Sequence, residues 1–297
     1  MSCTGDGARN AKRPRAPADS YGRCVRSEEY REERARKAEV ILALCETELR
    51  AALRIADLGA GTGLIKKSLE VTLDKYIYGF DIDISFIARA EGMVVADVRW
   101  LPVRAAWLDF LILNHVYEHV TDQTALFREA ARVLRPGGCA YVSAGNRLAV
   151  MEPHYRLPML SWLPRGLAGA YVRASRRGTG YEGIRFRTYG VLVKLMREAG
   201  FQVEDITERA FDRLLRKGGW PVWRVIWRTL AAFPRALRGP LLRAASPQWF
   251  FLLRRPAEVS GDGRGMEPER ARAAREGRSG RHPSPQSIPW DSGARNA

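Results

Sequence analysis

Apolar and polar positions follow two rhythms along this chain. From 26 to 49 there is no Pro or Gly, and Val40, Ile41, Leu44 and Leu49 fall at helical steps, so an amphipathic helix is expected there. Beyond it, short apolar runs alternate with helical patterns. The runs at 52–56, 76–80, 93–96, 108–113, 140–143, 201–206 and 249–253 read as strands. The stretches 64–73, 85–91, 122–134 and 189–199 read as helices, with Arg135-Pro136-Gly137-Gly138 stopping the third and Gly200 the fourth. Several strands are unbroken apolar runs (IYGF, MVVA, FLILN), the pattern of strands covered on both faces. Alternation of this kind builds a Rossmann-like, doubly wound α/β fold. The expected sheet has seven mostly parallel strands, with a helical insertion at 211–247 before the last one.

The end of the first strand reads Asp57-Leu58-Gly59-Ala60-Gly61-Thr62-Gly63. Glycine there permits positive φ and lets the backbone approach a ligand closely. In a doubly wound sheet this is the crevice where ligands collect. A purely structural tight turn is the alternative. A dinucleotide fingerprint needs glycine where Leu64 stands, and no Gly-Lys-Ser/Thr of a phosphate loop follows. Asp81 ends the second strand, where a carboxylate can accept from both hydroxyls of a ribose. Asp97 follows the third strand and can accept from an exocyclic amine such as that of adenine. Helix capping by Asp81 or Asp83 and a plain turn at Asp97 are the competing readings. Acids in register after successive strands are harder to assign to capping alone.

These residues carry a resemblance. DLGAGTG at 57–63, GFDID at 79–83, LDFLILNHVYEHV at 108–120 and FREAARVLRPGG at 127–138 resemble the class I S-adenosylmethionine-dependent methyltransferases. The likeness is strongest to the group typified by ubiquinone/menaquinone and small-molecule methyltransferases, and it runs from about 54 to 143. It implies S-adenosylmethionine as cofactor. Asp57, Gly59, Gly61 and Gly63 would face its methionine part. Asp81, with Ile82 beside it, would bind the ribose, Asp97 with Val98 the adenine, and Asn114 would lie beside the sulfonium. Tyr117 departs from the family pattern, where Leu is commoner, and so does the stretch 103–107.

An oxygen acceptor needs its proton removed as the new bond forms, which calls for a base. His154 and His119 are the candidate catalytic residues, both at the cofactor end of the sheet. The competing roles are a pocket-shaping loop histidine for His154 and a structural one for His119. No metal is expected, since the spacing of Asp109, Glu118 and Glu152 matches no metal pattern. Asn114-His115-Val116-Tyr117 stands where base N-methylases carry Asn/Asp-Pro-Pro-aromatic, which argues against that chemistry.

Composition alters this picture mainly on the acceptor side. Of the net charge of +16, +13 falls between 151 and 256, where twenty Lys and Arg face seven Asp and Glu. Within the insertion, Trp220, Trp223, Trp227 and Leu230 share one helix face, with Arg224, Arg228, Arg235 and Arg238 around it. That pattern suits an anionic membrane surface or the protein's own core. Without a recognisable RNA-binding module, nucleic acid ranks behind both. Residues 1–22 and 257–297 read as polar arms flanking one domain at 23–256, with the cofactor half at 50–145 and an acceptor and lid region at 146–256. No run approaches the ~20 apolar residues of a membrane span. The start lacks the apolar core of a secretory signal, and the four cysteines are scattered, so a cytoplasmic protein is expected, peripheral at the inner membrane face. The leading expectation is O-methylation of a small-molecule, lipid-linked or glycan acceptor. An RNA-directed methyltransferase and a non-catalytic S-adenosylmethionine-binding protein are the alternatives.

Overall fold

A computed structural model describes residues 28–87, 91–216, 229 and 232–257. The arm expected at 1–22, nearly all of the tail, and Trp220, Trp223, Arg224, Trp227, Arg228 and Leu230 lie outside the described residues.

Helix α1 (Glu28–Ala51) leads into β1 (Ile55–Leu58), α2 (Leu64–Leu73), β2 (Ile77–Asp81), the single turn α3 (Ile84–Ile87) and β3 (Met93–Val95). Then come β4 (Leu108–Asn114), α4 (Gln123–Val133) and β5 (Leu134–Gly145). A short hairpin, β6 (Met151–Glu152) and β7 (Leu157–Pro158), precedes α5 (Arg165–Ala174) and α6 (Tyr189–Glu198). The chain closes with β8 (Gln202–Asp205), α7 (Thr207–Arg216), α8 (Arg235–Ala245) and β9 (Gln248–Arg254). The main sheet has seven strands in the order β3-β2-β1-β4-β5-β9-β8, and β9 runs antiparallel to both its neighbours. This is the expected Rossmann-like sheet, with helices in the insertion before its last strand.

Side chains of the central strands alternate between two cores, because successive residues of a strand point to opposite faces. Leu111 and Leu113 of β4, Val142 of β5 and Phe251 of β9 enter one core with Phe127 of α4. Phe110, Ile112, Tyr141 and Phe250 enter the other, under α1 and α2. Each full burial of such a side chain contributes about 1.5–3 kcal/mol.

Three local expectations need correction. The first strand begins at Ile55 rather than 52, since the Leu53 and Arg54 N–H groups donate to Asp109 Oδ2 (3.1 and 2.8 Å) instead of to a strand. The helix does stop before Arg135-Pro136-Gly137-Gly138, but the next strand, β5, starts at Leu134 rather than at 140. A Cβ on Gly138 would sit 2.9 Å from the Arg135 carbonyl and 3.1 Å from that of Asp109, so only glycine lets the strand pass there. The MVVA run is not covered on both faces. It forms the sheet edge, paired only with β2, and Val95 is half exposed.

The hairpin and α5 were not expected as elements. They form a cap with its own small core of Leu157, Leu160, Ala168, Val172 and Tyr181. Tyr117, the departure from the family pattern, holds this cap to the sheet. Its hydroxyl donates to the Gly145 carbonyl and accepts from the Arg187 N–H.

Candidate active site

The glycine turn lies where β1 meets α2, with φ of +66°, +54° and +70° at Gly59, Gly61 and Gly63. The N–H groups of Gly59 and Ala60 donate to the Phe80 carbonyl (2.7 and 3.0 Å), fixing the turn against β2. A Cβ at Gly59 would press on Val116 at 2.9 Å. A Cβ at Gly61 would meet no protein atom within 4 Å, so that glycine opens toward ligand space.

Asp57 is buried, and its Oδ2 has no partner among the described residues. Burial, and then the negative charge of Asp81, push its carboxyl up to about 7. Asn114 ends β4, with its buried Nδ2 likewise unpartnered. An orphaned acceptor, an orphaned donor and a bare glycine around one crevice fit a ligand that brings both a cation and polar groups. The ammonium and carboxylate of S-adenosylmethionine are such groups.

Asp81 ends β2, with Oδ2 accepting from the Gly61 N–H (2.8 Å) and Oδ1 from the Asp83 N–H (2.9 Å). Each oxygen keeps a lone pair for a ribose hydroxyl. Asp83 does the capping, accepting from the Ser85 N–H at 2.9 Å. Ile82 is half exposed beside it, while Val98 is buried in the core. Asp97 follows β3 but is clamped by Arg99, whose Nη2 lies 2.6 Å from Oδ2 and whose backbone N–H donates to Oδ1 (2.9 Å). The side-chain bond from Arg99 holds the Asp97 carboxyl below the usual carboxylate range. Sequence alone gave no sign of this clamp, although the residues stand two apart.

The fourth strand delivers His115, with Tyr117–His119 forming a 3₁₀ turn behind it. His115 is fixed through both ring nitrogens, to Glu118 Oε1 (3.0 Å) and Ser143 Oγ (3.2 Å). Burial alone would raise the Glu118 carboxyl, but the bond from His115 and the charges of His115 and His119 hold it below its ordinary value. His119 and His154, distant in sequence, meet edge to face with ring centroids 5.1 Å apart. His154 rides the β6–β7 turn, and its Nδ1 lies 2.8 Å from Oε1 of fully buried Glu152. Phe186 covers the same imidazole at 5.7 Å. Glu152 as orienting partner was missed in the sequence, where its only sign was its place two residues before His154.

The donor atoms of Glu118, His119 and His154 all lie within 4.8 Å of one another, so these three side chains can converge on a divalent cation. Of Asp109, Glu118 and Glu152, whose spacing matches no metal pattern, only Glu118 belongs to this cluster. Asp109 stands near the start of β4, at the far end of the sheet, ion-paired with Arg135.

The strand order, the glycine turn after β1 and the acids after β2 and β3 are similar to those expected of the class I S-adenosylmethionine-dependent methyltransferases. Residues 56–142 match the family described as a methyltransferase domain. Over 129 residues the chain is 34% identical to a ubiquinone biosynthesis O-methyltransferase of Bradyrhizobium, covering 38% of this chain and 49% of that one. It is 33% identical over 120 residues to a ubiquinone/menaquinone biosynthesis C-methyltransferase of Acidiphilium cryptum, covering 39% of this chain and 48% of the relative. The chain thus spans about half the length of the curated relatives it matches. A solved S-adenosylmethionine-dependent methyltransferase from Mesorhizobium loti is 20% identical, with a TM-score of 0.47 over 72% of this chain and 96% of that one.

Proposed function

We propose that this chain transfers a methyl group from S-adenosylmethionine to an oxygen of a small-molecule, lipid-linked or glycan acceptor. The observation that carries the reading is the Glu152–His154 pair beside His119. When bound, S-adenosylmethionine supplies a methyl group on a sulfonium, which leaves without protonation. The chain therefore needs only to align the acceptor, exclude water and take up one proton.

Each residue has a part in that reading. Asp57, the glycines, Asp81 and Asn114 hold the cofactor. Glu152 accepts from His154 Nδ1–H, which leaves Nε2 as the atom that takes the hydroxyl proton. Phe186 and His119 pack against the imidazole and fix its orientation, while it stays open to an acceptor from solvent. The relatives named as O- and C-methyltransferases are about equally similar to this chain, so the histidine pair, rather than the identity, favours oxygen.

The exposed apolar side chains Leu148, Val150, Met151, Met159, Trp162 and Leu167 gather in the 148–167 segment of the cap. They suit an acceptor presented at an anionic lipid surface by a peripherally bound protein. Among the described residues no helix is long and apolar enough to cross a membrane.

The test is incubation with methyl-labelled cofactor and separated lipid and water-soluble extracts. Label is expected in a neutral or lipid fraction, with its transfer dependent on His154. Label confined to RNA would overturn the acceptor class, and failure to bind the cofactor in calorimetry would overturn the whole reading.

A further inference from the structure

Over the cap lies a cavity of about 330 Å³ with an unusual lining of cations. Arg147, Arg165, Arg185 and Arg187 surround it, together with Ser161 and Tyr181. Some arginines of the basic half are paired with carboxylates: Arg209 with Glu204, Arg238 with Glu208, Arg243 with Asp205 and Arg254 with Glu48. The four cavity arginines have no carboxylate within ion-pair distance among the described residues. Arg187 is held in place by donating Nε–H to Gln123 Oε1 at 2.6 Å.

Two further features point to a ligand. Helix α5 starts at the cavity wall, where Pro164 and Arg165 lie, and no side chain caps its N-terminus. Its first N–H groups and its dipole favour an anion there. Tyr181 is 7% exposed, and its hydroxyl has no hydrogen-bond partner among the described residues. That hydroxyl stands within electrostatic reach of Glu152 and, more weakly, of Arg147 and Arg165. A buried donor left unpaired is destabilising unless a ligand completes it.

We propose that this cavity binds a phosphate group carried by the methyl acceptor, an inference that rests on the methyl-transfer reading above. Several guanidinium forks, a helix N-terminus and a hydroxyl donor suit the multiple oxygens of a phosphate better than the two of a carboxylate. Phe186 links the sites, since it lines the cavity and also covers the His154 ring. A phosphate seated among the arginines therefore leaves the rest of the acceptor directed past Phe186 toward His154. The phosphate can belong to a soluble phosphoester or to a lipid headgroup, and the apolar rim of the cap makes the second worth a separate arm.

The experiment is calorimetric titration of the full chain, loaded with S-adenosylhomocysteine, using inorganic phosphate, glycerol 3-phosphate and dihexanoyl phosphatidic acid. Binding of at least one phosphate probe is expected, weakened about tenfold or more in Arg147→Gln/Arg165→Gln. Tyr181→Phe, which keeps the ring packing, should weaken it several-fold. Lys194→Gln/Arg197→Gln, an equal loss of charge on exposed α6, should leave it within about twofold. Tighter binding of the phosphatidic acid than of glycerol 3-phosphate assigns the lipid source, and the reverse order the soluble one. No binding by any probe, or equal losses in the cavity and α6 variants, overturns the proposal. S-adenosylhomocysteine binding, measured alongside, separates that failure from failure of the methyltransferase reading.

Discussion

The cofactor half at 55–145 and the cap at 146–187 solve opposite problems. In the first, the central strands β1, β2, β4 and β5 bury their side chains, and the few polar groups they carry either are paired or face the crevice. Glu129 of α4, packed against that sheet, accepts from the Leu101 N–H (2.6 Å) and pairs with Arg132, which locks the loop before β4. The cap has a core of a few residues, strands of two residues each, and arginines with no ion pair among the described residues. A rigid half thus presents the reagent, and a lightly built half selects what receives it. The difference implies that variants in the first region change cofactor affinity, and variants in the second change turnover or acceptor choice.

The largest effect should come from His154→Ala. Loss of a positioned base costs about 10²–10⁴ in rate, while cofactor affinity measured by calorimetry should stay within about twofold of the parent. A large loss of cofactor affinity in this variant would break the division between the halves. Asp81→Asn tests the other side. A hydrogen bond to a charged group is worth about 1.5–3 kcal/mol, which corresponds to about 10–150-fold in dissociation constant. Saturating cofactor should then restore most of the turnover.

Asp57 makes the first region sensitive to pH. Its carboxyl is pushed up to about 7 by burial and by Asp81. The ionised form attracts the cofactor's ammonium, so affinity should fall about tenfold from pH 8 to pH 6 as the proton returns. Stability of the free protein runs the other way. A carboxyl raised on folding binds extra protons between the ordinary carboxylate range and about 7. Its contribution is full below that window and is lost as pH rises through it. Asp57→Asn should therefore weaken cofactor binding, remove its pH dependence, and leave the melting temperature of the free protein higher than the parent's above pH 7. A pH-independent affinity in the parent would show that Asp57 is ionised throughout.

The two halves also differ in how much of them the sequence revealed. Runs such as FLILN declare β4 because a strand buried on both faces has to be apolar throughout, and the glycine turn declares itself because few other residues adopt its φ. The cap has no such period. The hairpin holding His154 has two residues per strand, too short for any alternation to register. Its position depends on contacts far apart in sequence, such as Tyr117 with Arg187 and Gln123 with Arg185. The pairing of His119 with His154, and the gathering of Arg147, Arg165, Arg185 and Arg187, arise only when these contacts close. Residue types could be read in advance there, but not which of them meet.

Arg99 gives the smallest effect and the finest test of the cofactor half. Asp97 is the acid expected at the adenine amine, yet Arg99 engages both its oxygens. The pair is only partly buried, with side-chain exposures of 32% and 25%, so solvent screens it and its worth is at most about 1 kcal/mol. An adenine amine competing for Asp97 has to loosen that clamp. Arg99→Ala should then tighten cofactor binding by about five-fold or less, and raising the salt concentration should narrow the gap between variant and parent. If affinity falls instead, the clamp is what orients Asp97 toward the base, and Arg99 belongs to the binding site rather than competing with it.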